Sequence, residues 1–367
     1  MYLRDLHVLN FKNWEEANFE LSPRLNCFVG PNGSGKTNIL DAIHYLSITK
    51  SYFSSTDLHN ILSGADFFVT EGNFHLEGEP IHIHCALKRG QKKTIRHDKV
   101  EYEKLADHIG QFPSVVISPY DRDLITERSE TRRRFMDGVI SQSDAPYLHH
   151  LLRYLRVLRQ RNALLKQMAR QQSFQAEELQ LYDEQMAQEA LPLVEKRQAF
   201  VQELLPRLQY YYQWISAGAE TAGLEYRSKL REQPFLELLR EQQERDRVQQ
   251  YTGVGAHRDD LEFTLQGRSV KQFGSQGQQK SFLIALKLAQ YDFLKERQGR
   301  APLLLLDDIF DKLDEDRVTQ LIQLVHDQDF GQIFITDTHP SRTEELVRRI
   351  DPNACIFETQ KAAHEKN

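Results

Sequence analysis

The segment at residues 30–37 constrains the fold more than any other part of the chain. It reads Gly-Pro-Asn-Gly-Ser-Gly-Lys-Thr and fits the phosphate-loop pattern G-x-x-x-x-G-K-[ST] at every fixed position. A short apolar run at residues 25–29 precedes it, and apolar residues recur at helical spacing from Ile39 to Leu46. A strand, a glycine-rich loop and a helix in this order predict an α/β fold with a phosphate site at the helix N-terminus.

The residue types in this loop suit the binding of ATP and magnesium. Glycines let the backbone N–H groups converge on phosphate oxygens, Lys36 reaches the β- and γ-phosphates and so takes part in catalysis, and Thr37 supplies a magnesium ligand. A glycine-rich turn without a ligand is the alternative, which the filled positions and the flanks disfavour. The residues assigned to the nucleotide are Gly30, Pro31, Asn32, Gly33, Ser34, Gly35, Lys36, Thr37 and Asn38.

An acidic pair after a leucine run supplies the second part of the predicted site. The leucines at residues 303–306 suit a strand buried on both faces, and Asp307 and Asp308 follow them directly. Asp307 is predicted to hold magnesium, and Asp308 to orient or polarise the attacking water as a catalytic residue. Without the phosphate loop, a strand end or a helix cap would explain the pair equally well.

Composition alone says little about function. The 367 residues carry a net charge of −6, so any contact with DNA must use a local patch. No apolar run approaches the roughly 20 residues of a membrane helix, and the first residues lack a signal-peptide pattern, so a cytoplasmic protein with no membrane partner is expected. Cys27, Cys85 and Cys355 have neither disulfide-framework nor zinc-site spacing, which predicts buried free thiols.

The middle of the chain is predicted to be helical. Apolar residues at i, i+3 and i+4 begin at Leu148, and the pattern returns between Leu179 and Trp214. Pro192 and Pro206 should kink or interrupt the second of these helices, because each removes a backbone donor and clashes with the preceding turn.

Strand-like patterns lie on both sides of this helical region. They occur at residues 3–11, 25–29, 75–99, 115–117, 261–265, 303–306 and 333–335, and only a hairpin-sized polar stretch separates the first two. A helix is expected at residues 278–296. These patterns predict a head split by a helical arm, with the head at residues 1–118 and 251–367 and the arm at residues 119–250.

A polar segment upstream of the acidic pair resembles the signature motif of ABC ATPases. It reads Ser-Gln-Gly-Gln from Ser275 and would open a helix, where an anion binds favourably. A polar loop is the alternative for this segment taken alone. In ABC ATPases the serine and glycine contact the γ-phosphate held by the opposite subunit, so the resemblance assigns Ser275, Gly277 and Gln278 to the nucleotide.

Two further segments resemble ABC motifs in the same order. Asp311-Lys312-Leu313-Asp314 is similar to the D-loop, and His339 follows a strand where ABC proteins place their switch histidine. The resemblance implies that His339 contacts the nucleotide. Gln111 is the candidate for the Q-loop glutamine.

Within that superfamily, residues 9–14 (Leu-Asn-Phe-Lys-Asn-Trp) resemble the opening strand of SMC-like proteins. Four further segments resemble the RecF family: residues 30–38, 117–121 (Ile-Ser-Pro-Tyr-Asp), 132–137 (Arg-Arg-Arg-Phe-Met-Asp) and 257–261 (His-Arg-Asp-Asp-Leu). The resemblance spans nearly the whole chain and implies an ABC-ATPase-like, SMC-like P-loop head. The middle region is too short for the coiled-coil rod of the longer SMC relatives.

The resemblance to RecF also implies a function. We expect an ATP-dependent homodimer that binds double-stranded and gapped DNA, repairs single-strand gaps by recombination, supports replication restart and helps to load RecA with RecO and RecR. Asp308 stands where ABC ATPases usually have glutamate, which fits slow hydrolysis. An SMC- or ABC-type ATPase with a regulatory, transport-linked or nuclease-associated role is the alternative.

Arginines around the start of the helical region are the candidates for DNA phosphate contacts, because guanidinium groups suit phosphate. No base-reading element is evident, so recognition of DNA structure is expected rather than of sequence. A solvated helix face or internal ion pairs are equally compatible with these residues. The candidates are Arg128, Arg132, Arg133, Arg134, Arg153, Arg156, Arg159 and Arg161.

Overall fold

A computed structural model describes residues 1–216, 218, 220–308 and 330–360 of the chain. Its strands are β1 (Tyr2–Phe11), β2 (Trp14–Glu20), β3 (Leu25–Val29), β4 (Phe67–Leu76), β5 (Glu79–Lys88), β6 (Thr94–His97), β7 (Val100–Glu101), β8 (Ser114–Ile117), β9 (Ala222–Arg227), β10 (Asp260–Leu265), β11 (Arg268–Ser269), β12 (Leu303–Leu306), β13 (Ile333–Asp337) and β14 (Cys355–Glu358). Its α-helices are α1 (Lys36–Ile48), α2 (Asp123–Thr126), α3 (Ser129–Ser143), α4 (Ala145–Gln171), α5 (Ala176–Ile215), α6 (Phe235–Gln249), α7 (Val270–Phe273), α8 (Gln276–Gln298) and α9 (Pro340–Ile350).

The chain divides into two compact units. The first contains Met1–Asp121 together with Gln290–Asn367, and the second contains Arg122–Ala289. Residues 251–289, which the sequence assigned to the head, therefore lie in the second unit. Helix α8 begins in the second unit and ends in the first.

The first unit contains two sheets. One is antiparallel and has the strand order β2-β1-β4-β5-β6-β7. The other is parallel, with the order β14-β3-β13-β12-β8. In a parallel sheet the carboxyl ends of the strands lie at one edge, where open α/β sheets bind their ligands. The residues that follow Val29, Leu306 and Asp337 are therefore neighbours at this edge.

Helix α1 lies at the centre of the first unit's core. Its apolar residues Ile39 and Ile43 are fully buried, and they belong to one hydrophobic cluster with Leu6 of β1 and with Phe28 and Phe334 of the parallel sheet. The polar side chains between residues 41 and 47 of this helix are buried as well. Because the core fixes α1, it also fixes the phosphate loop that precedes it.

Strand β2 occupies the stretch in which the sequence indicated only a hairpin connection. It pairs antiparallel with β1, with Leu6 opposite Phe19 and Phe11 opposite Trp14. Several of its residues are exposed and polar, as expected for an edge strand, so the apolar signal was weak. The β1–β2 turn at Lys12 and Asn13 becomes important for the site.

The second unit combines the long helices with a small antiparallel sheet in the order β11-β10-β9. Helix α5 runs without a break through Pro192 and Pro206, so the expectation that these residues interrupt it is wrong. Each proline removes a single N–H donor, and Pro206 is exposed, so water can satisfy the carbonyl left without a partner. Burial of Leu193, Leu204 and Leu208 stabilises the helix by tertiary packing.

None of the helices in the described ranges is both long and apolar enough to cross a membrane.

Candidate functional site

The phosphate loop joins β3 to α1 at the carboxyl edge of the parallel sheet. Pro31 to Gly33 are exposed, whereas Gly30 before them and Ser34 to Lys36 after them are buried. The ammonium of Lys36 donates to the carbonyl oxygen of Gly30 at 2.8 Å and to that of Pro31 at 3.1 Å. Lys36 therefore lies across its own loop, where an anion would meet a buried positive charge beside a helix N-terminus.

Two glycines of the loop are required by close neighbours. Gly35 is the N-cap of α1 with φ 99°, and a Cβ there would lie 2.6 Å from the indole nitrogen of Trp14. That nitrogen donates to the carbonyl oxygen of Gly35 at 3.1 Å. A Cβ on Gly30 would lie 2.2 Å from the carbonyl oxygen of Thr359. The loop is thus enclosed by the β1–β2 turn on one side and by the residue after β14 on the other.

Residues of the β1–β2 turn also contact the first two turns of α1. Asn38 donates through its side-chain amide to Asn13 at 2.6 Å, and Lys12 forms an ion pair of 2.5 Å with the buried Asp41. In the sequence, only a resemblance to SMC-like proteins marks residues 9–14. Their contacts supply a physical reason for that pattern, since they support the nucleotide loop from outside.

Asp307 directly follows β12, and three hydroxyl groups donate to its carboxylate. Its Oδ1 accepts from the hydroxyl of Thr37 at 2.8 Å and from that of Thr336 at 3.0 Å, and its Oδ2 accepts from Ser118 at 3.2 Å. Burial raises the pKa of Asp307, although these hydrogen bonds and Lys36 oppose the shift. The structure thus brings together the two residues that the sequence assigned to magnesium.

Ser118 and Thr336 are contacts that sequence reasoning missed. Ser118 follows β8, and Thr336 lies in β13, so each comes from a strand beside β12. Both lie in segments singled out for other reasons, residues 117–121 and the approach to His339. Their role could have been inferred only from the strand order, because neither side chain belongs to a phosphate-loop pattern.

Asp308 has a left-handed backbone with φ 47°, a conformation that aspartate tolerates better than most residues. Its N–H donates to the hydroxyl of Thr336 at 2.9 Å. Thr336 therefore bridges the two aspartates, because the same hydroxyl donates to Asp307. This arrangement fixes the direction in which the backbone leaves β12.

The remaining head motifs have different outcomes. His339 is exposed and is the N-cap of α9, just beyond β13, so it lies at the carboxyl edge with the phosphate loop. The D-loop segment at residues 311–314 lies outside the described residues. Gln111 lies before the amino end of β8, and its side chain donates to Asp107 at 3.5 Å. A residue there is at the opposite edge of the parallel sheet from Asp307, so the Q-loop assignment of Gln111 is wrong.

The signature segment lies in the second unit at the start of α8. The N–H of Ser275 donates to the side-chain oxygen of Gln278 at 2.7 Å, and the hydroxyl of Ser275 accepts from the N–H of Gln278 at 3.2 Å. This reciprocal pair is a capping box. Ser275 and Gly277 are both exposed, and a Cβ on Gly277 would meet no atom within 4 Å.

Three of the arginine candidates are internal. Arg132 forms a two-pronged pair with Asp260, at 2.8 and 3.0 Å, and Arg133 donates to the carbonyl oxygen of Asp259. Arg161 is fully buried between Asp183 and Asp246, at 2.6 and 2.7 Å. The internal ion-pair alternative therefore applies to these three residues. The exposed candidates are Arg128, Arg134, Arg153, Arg156 and Arg159.

The segments at residues 132–137 and 257–261 meet in the second unit. Besides the Arg132 and Arg133 contacts, the buried Arg197 joins them, since it pairs with Asp137 at 2.9 Å and with Asp259 at 2.8 Å. The hydroxyl of Tyr226 also donates to Asp259 at 2.5 Å. Sequence reasoning missed this network, because Arg197 lies within a helical pattern that gave no sign of a buried charge.

Comparisons with known proteins agree with this geometry. The family model described as RecF/RecN/SMC N terminal domain matches residues 2–364. The DNA replication and repair protein RecF of Flavobacterium johnsoniae is 48% identical over 357 residues, which make up 97% of this chain and 99% of that protein.

Solved structures extend the likeness to three dimensions. The recombination mediator protein RecF with ATP, of the RecFOR pathway, has a TM-score of 0.86 and 27% identity, with 92% of each chain covered. An Smc head domain with an extended coiled coil, bound to the C-terminal domain of ScpA derived from Pyrococcus furiosus, has a TM-score of 0.58 at 14% identity, over 98% of this chain and 94% of that one. The second match concerns the fold alone. The predicted class, an α/β ABC-ATPase-like and SMC-like head, is confirmed.

Proposed function

This chain belongs to the RecF family, and from that membership we propose that it binds ATP, dimerises on ATP and holds DNA during replication and repair. Its task is the recombinational repair of single-strand gaps and the restart of replication. RecO and RecR are its partners in helping to load RecA. Hydrolysis is slow and serves to reopen the dimer.

The contact between Thr37 and Asp307 carries the proposal. A hydroxyl at the helix start and a carboxylate from another strand lie 2.8 Å apart beside the buried Lys36. In P-loop ATPases such a pair holds magnesium, and the backbone of the phosphate loop binds the phosphates. A glycine-rich turn without a ligand would not require these three side chains to lie together.

The residues at this edge suit magnesium as well as ATP. Magnesium prefers oxygen ligands, and the hydroxyl of Thr37 and the carboxylate of Asp307 supply them. Bound there, the ion would supply positive charge that offsets the negative charge developing on the phosphates. Thr336 and Ser118 keep the Asp307 carboxylate oriented, and Asp308 is the group that orients the attacking water.

The exposure of Ser275 and Gly277 supports a composite site, in which the start of α8 of one subunit contacts the nucleotide held by the other. In the described part of the chain no atom lies within 4 Å of the position of a Cβ on Gly277, and the residue has no left-handed backbone. Packing within one subunit therefore does not explain a glycine at this position. A phosphate from a partner subunit, approaching the capped start of α8, would need that space.

DNA contacts are proposed for the exposed arginines of the second unit. Arg153 and Arg156 project from α4 and are exposed, and Arg153 forms a long ion pair with Glu189 at 3.7 Å. Each phosphate contact should release counterions, so binding weakens as salt rises. Arg128 and Arg134 are further candidates, although Arg134 pairs with Glu130 in its own helix.

The deciding experiment measures DNA affinity at several salt concentrations, with and without ATP, and molecular mass by light scattering under the same conditions. We expect ATP to double the mass and to tighten DNA binding. The variant Arg153→Ala/Arg156→Ala should lower the salt slope by about one per lost contact. The control is Arg245→Ala, in an exposed polar helix face. Dimerisation without DNA binding would favour an SMC- or ABC-type ATPase with another role.

A further inference from the structure

The phosphate loop has a hydroxyl contact that no phosphate-loop pattern contains. Ser34, the fifth residue of the loop, is almost fully buried, and its hydroxyl lies 2.6 Å from the hydroxyl of Thr359. Thr359 follows β14 and is also buried. A residue far along the chain therefore holds the middle of the loop.

The second hydrogen-bond partner of the Thr359 hydroxyl, the carbonyl oxygen of Val29, determines which of the two hydroxyls is the donor. The carbonyl oxygen of Val29 lies 3.1 Å from the Thr359 hydroxyl and 2.8 Å from the Thr359 N–H. A carbonyl oxygen can only accept, and its two lone pairs suffice for both donors. The Thr359 hydroxyl thus donates its hydrogen bond to the carbonyl oxygen of Val29. The Ser34 hydroxyl is therefore the donor to Thr359.

This relay connects three points around the loop. Val29 is the last residue of β3, Ser34 lies near the helix start, and the main chain of Thr359 stands against Gly30, where it leaves no room for a side chain. On the opposite side, Trp14 holds the carbonyl oxygen of Gly35. The loop is therefore clasped from both sides, and only its Pro31–Gly33 tip is exposed.

We propose that Thr359 is a positioning residue for the phosphate loop: its hydroxyl holds Ser34 so that the loop N–H groups converge before a nucleoside triphosphate arrives. The Ser34 side chain is occupied by this contact, so Ser34 serves the phosphates through its backbone. A loop that is already ordered loses less conformational freedom on binding, which favours affinity. This inference rests on the proposed binding of ATP.

The test compares the ATP dissociation constants of four proteins, measured by equilibrium titration with fluorescent ATP in the presence of magnesium. Thr359→Val keeps the shape of the side chain and removes the hydroxyl, and we expect about five- to tenfold weaker binding. Thr359→Ser restores the hydroxyl and should bind within about twofold of the wild type. Ser34→Ala should weaken binding as much as Thr359→Val.

A double variant separates positioning from general loss of stability. If the two hydroxyls act through each other, Ser34→Ala/Thr359→Val binds no more weakly than either single variant. Without nucleotide, the thermal unfolding midpoint of Thr359→Val should stay close to that of Thr252→Val. This control also removes a buried, hydrogen-bonded hydroxyl, but in the second unit. That control should bind ATP like the wild type.

Two results would overturn the inference. One is a folded Thr359→Val protein that binds ATP like the wild type, and the other is a double variant whose losses multiply. If Thr359→Val does not fold, Ser34→Ala still decides, because it leaves β14 and Thr359 unchanged. A wild-type protein that fails to bind ATP would instead contradict the proposed function.

Discussion

The hydroxyl of Thr37 donates to Oδ1 of Asp307 at 2.8 Å, and this contact joins the start of α1 to the end of β12. The two strands that position these residues, β3 and β12, are separated in the sheet by β13. Thr336 of β13 reaches the same carboxylate oxygen from between them. The candidate site therefore depends on the order of the strands as much as on the loop itself.

Lys36→Ala should weaken ATP binding by more than about tenfold, because it removes a charge-assisted contact to phosphate. The fold should survive, since Lys36 contacts loop carbonyls rather than the apolar core. Titration with fluorescent ATP, together with circular dichroism, checks both parts. Lys92→Ala, at an exposed lysine, is the control. Unchanged ATP binding in folded Lys36→Ala protein would show that the site is assigned wrongly.

Asp308→Asn should slow ATP hydrolysis at least about tenfold while ATP binding is retained, because water activation is lost and Asp307 is untouched. The dimer should then persist in ATP. Single-turnover hydrolysis and light scattering measure the two effects. Asp307→Asn is the informative comparison, since it should lower the affinity for ATP with magnesium instead. Normal hydrolysis by Asp308→Asn would remove this residue from the mechanism.

The sequence predicted the local parts of this site well. The loop, the strand before it, α1 and the acidic end of β12 all follow from short patterns that act over a few residues. The patterns could not reveal that Ser118, Thr336 and Thr359 surround that loop, because these contacts depend on how distant strands pair. The sheet order β14-β3-β13-β12-β8 is what brings them together.

The arginines show the same limit from the opposite direction. Arg161 belongs to a helix whose other arginines are exposed, and it was grouped with them as a DNA candidate. Its partners Asp183 and Asp246 come from two other helices, α5 and α6. A charge on a helical pattern indicates a solvated face only if no distant carboxylate meets it, and the sequence alone does not contain that information.

Thr336→Val should raise the magnesium concentration needed for half-maximal ATP binding about tenfold. Metal sites lose affinity when a residue that hydrogen-bonds to a metal ligand is removed. The variant lacks both the donor to Asp307 and the acceptor for the Asp308 N–H. Titrating magnesium into protein with fluorescent ATP gives the shift. The control is Thr338→Val, two residues further on. A variant with unchanged magnesium dependence would mean that Thr336 only stabilises the strand end.

Acid should destabilise the first unit through His108. Burial lowers its pKa to about 4 from an ordinary value of 6.5, and its Nε2 lies 2.6 Å from the carbonyl oxygen of Leu46. Since the unfolded chain takes up a proton more readily than the folded one, the neutral imidazole contributes full stability above about pH 6.5. That contribution is lost progressively as pH falls toward about 4.

His108→Gln keeps a donor for Leu46 but cannot titrate, so its unfolding midpoint should vary less between pH 6.5 and pH 4. Urea unfolding at several pH values measures the difference, which is at most about 3 kcal/mol. His59→Gln, at an exposed histidine, should leave the pH profile unchanged. A His108→Gln profile parallel to that of the wild type would show that this histidine is not protonated on unfolding in that range.

Ser275→Arg should bind ATP normally yet fail to dimerise and fail to hold DNA. Ser275 makes a capping box with Gln278 in its own chain, and together with the open position at Gly277 it forms an exposed surface at the start of α8. An arginine there would fill the approach to a phosphate held by a second subunit. Because ATP can favour the dimer only through contacts made in the dimer, blocking them removes the ATP dependence of mass and of DNA binding together.

Gly277→Leu separates this effect from damage to the cap. It leaves Ser275 and Gln278 intact, and a Cβ at Gly277 meets no atom within 4 Å in the described part of the chain, so the variant should fold and bind ATP. We expect light scattering to find monomers with ATP for both Gly277→Leu and Ser275→Arg. Gln298→Leu, at the far end of α8, should dimerise like the wild type. If Gly277→Leu also forms dimers with ATP, the start of α8 lies outside the dimer interface, and the two subunits must close over the nucleotide in another way.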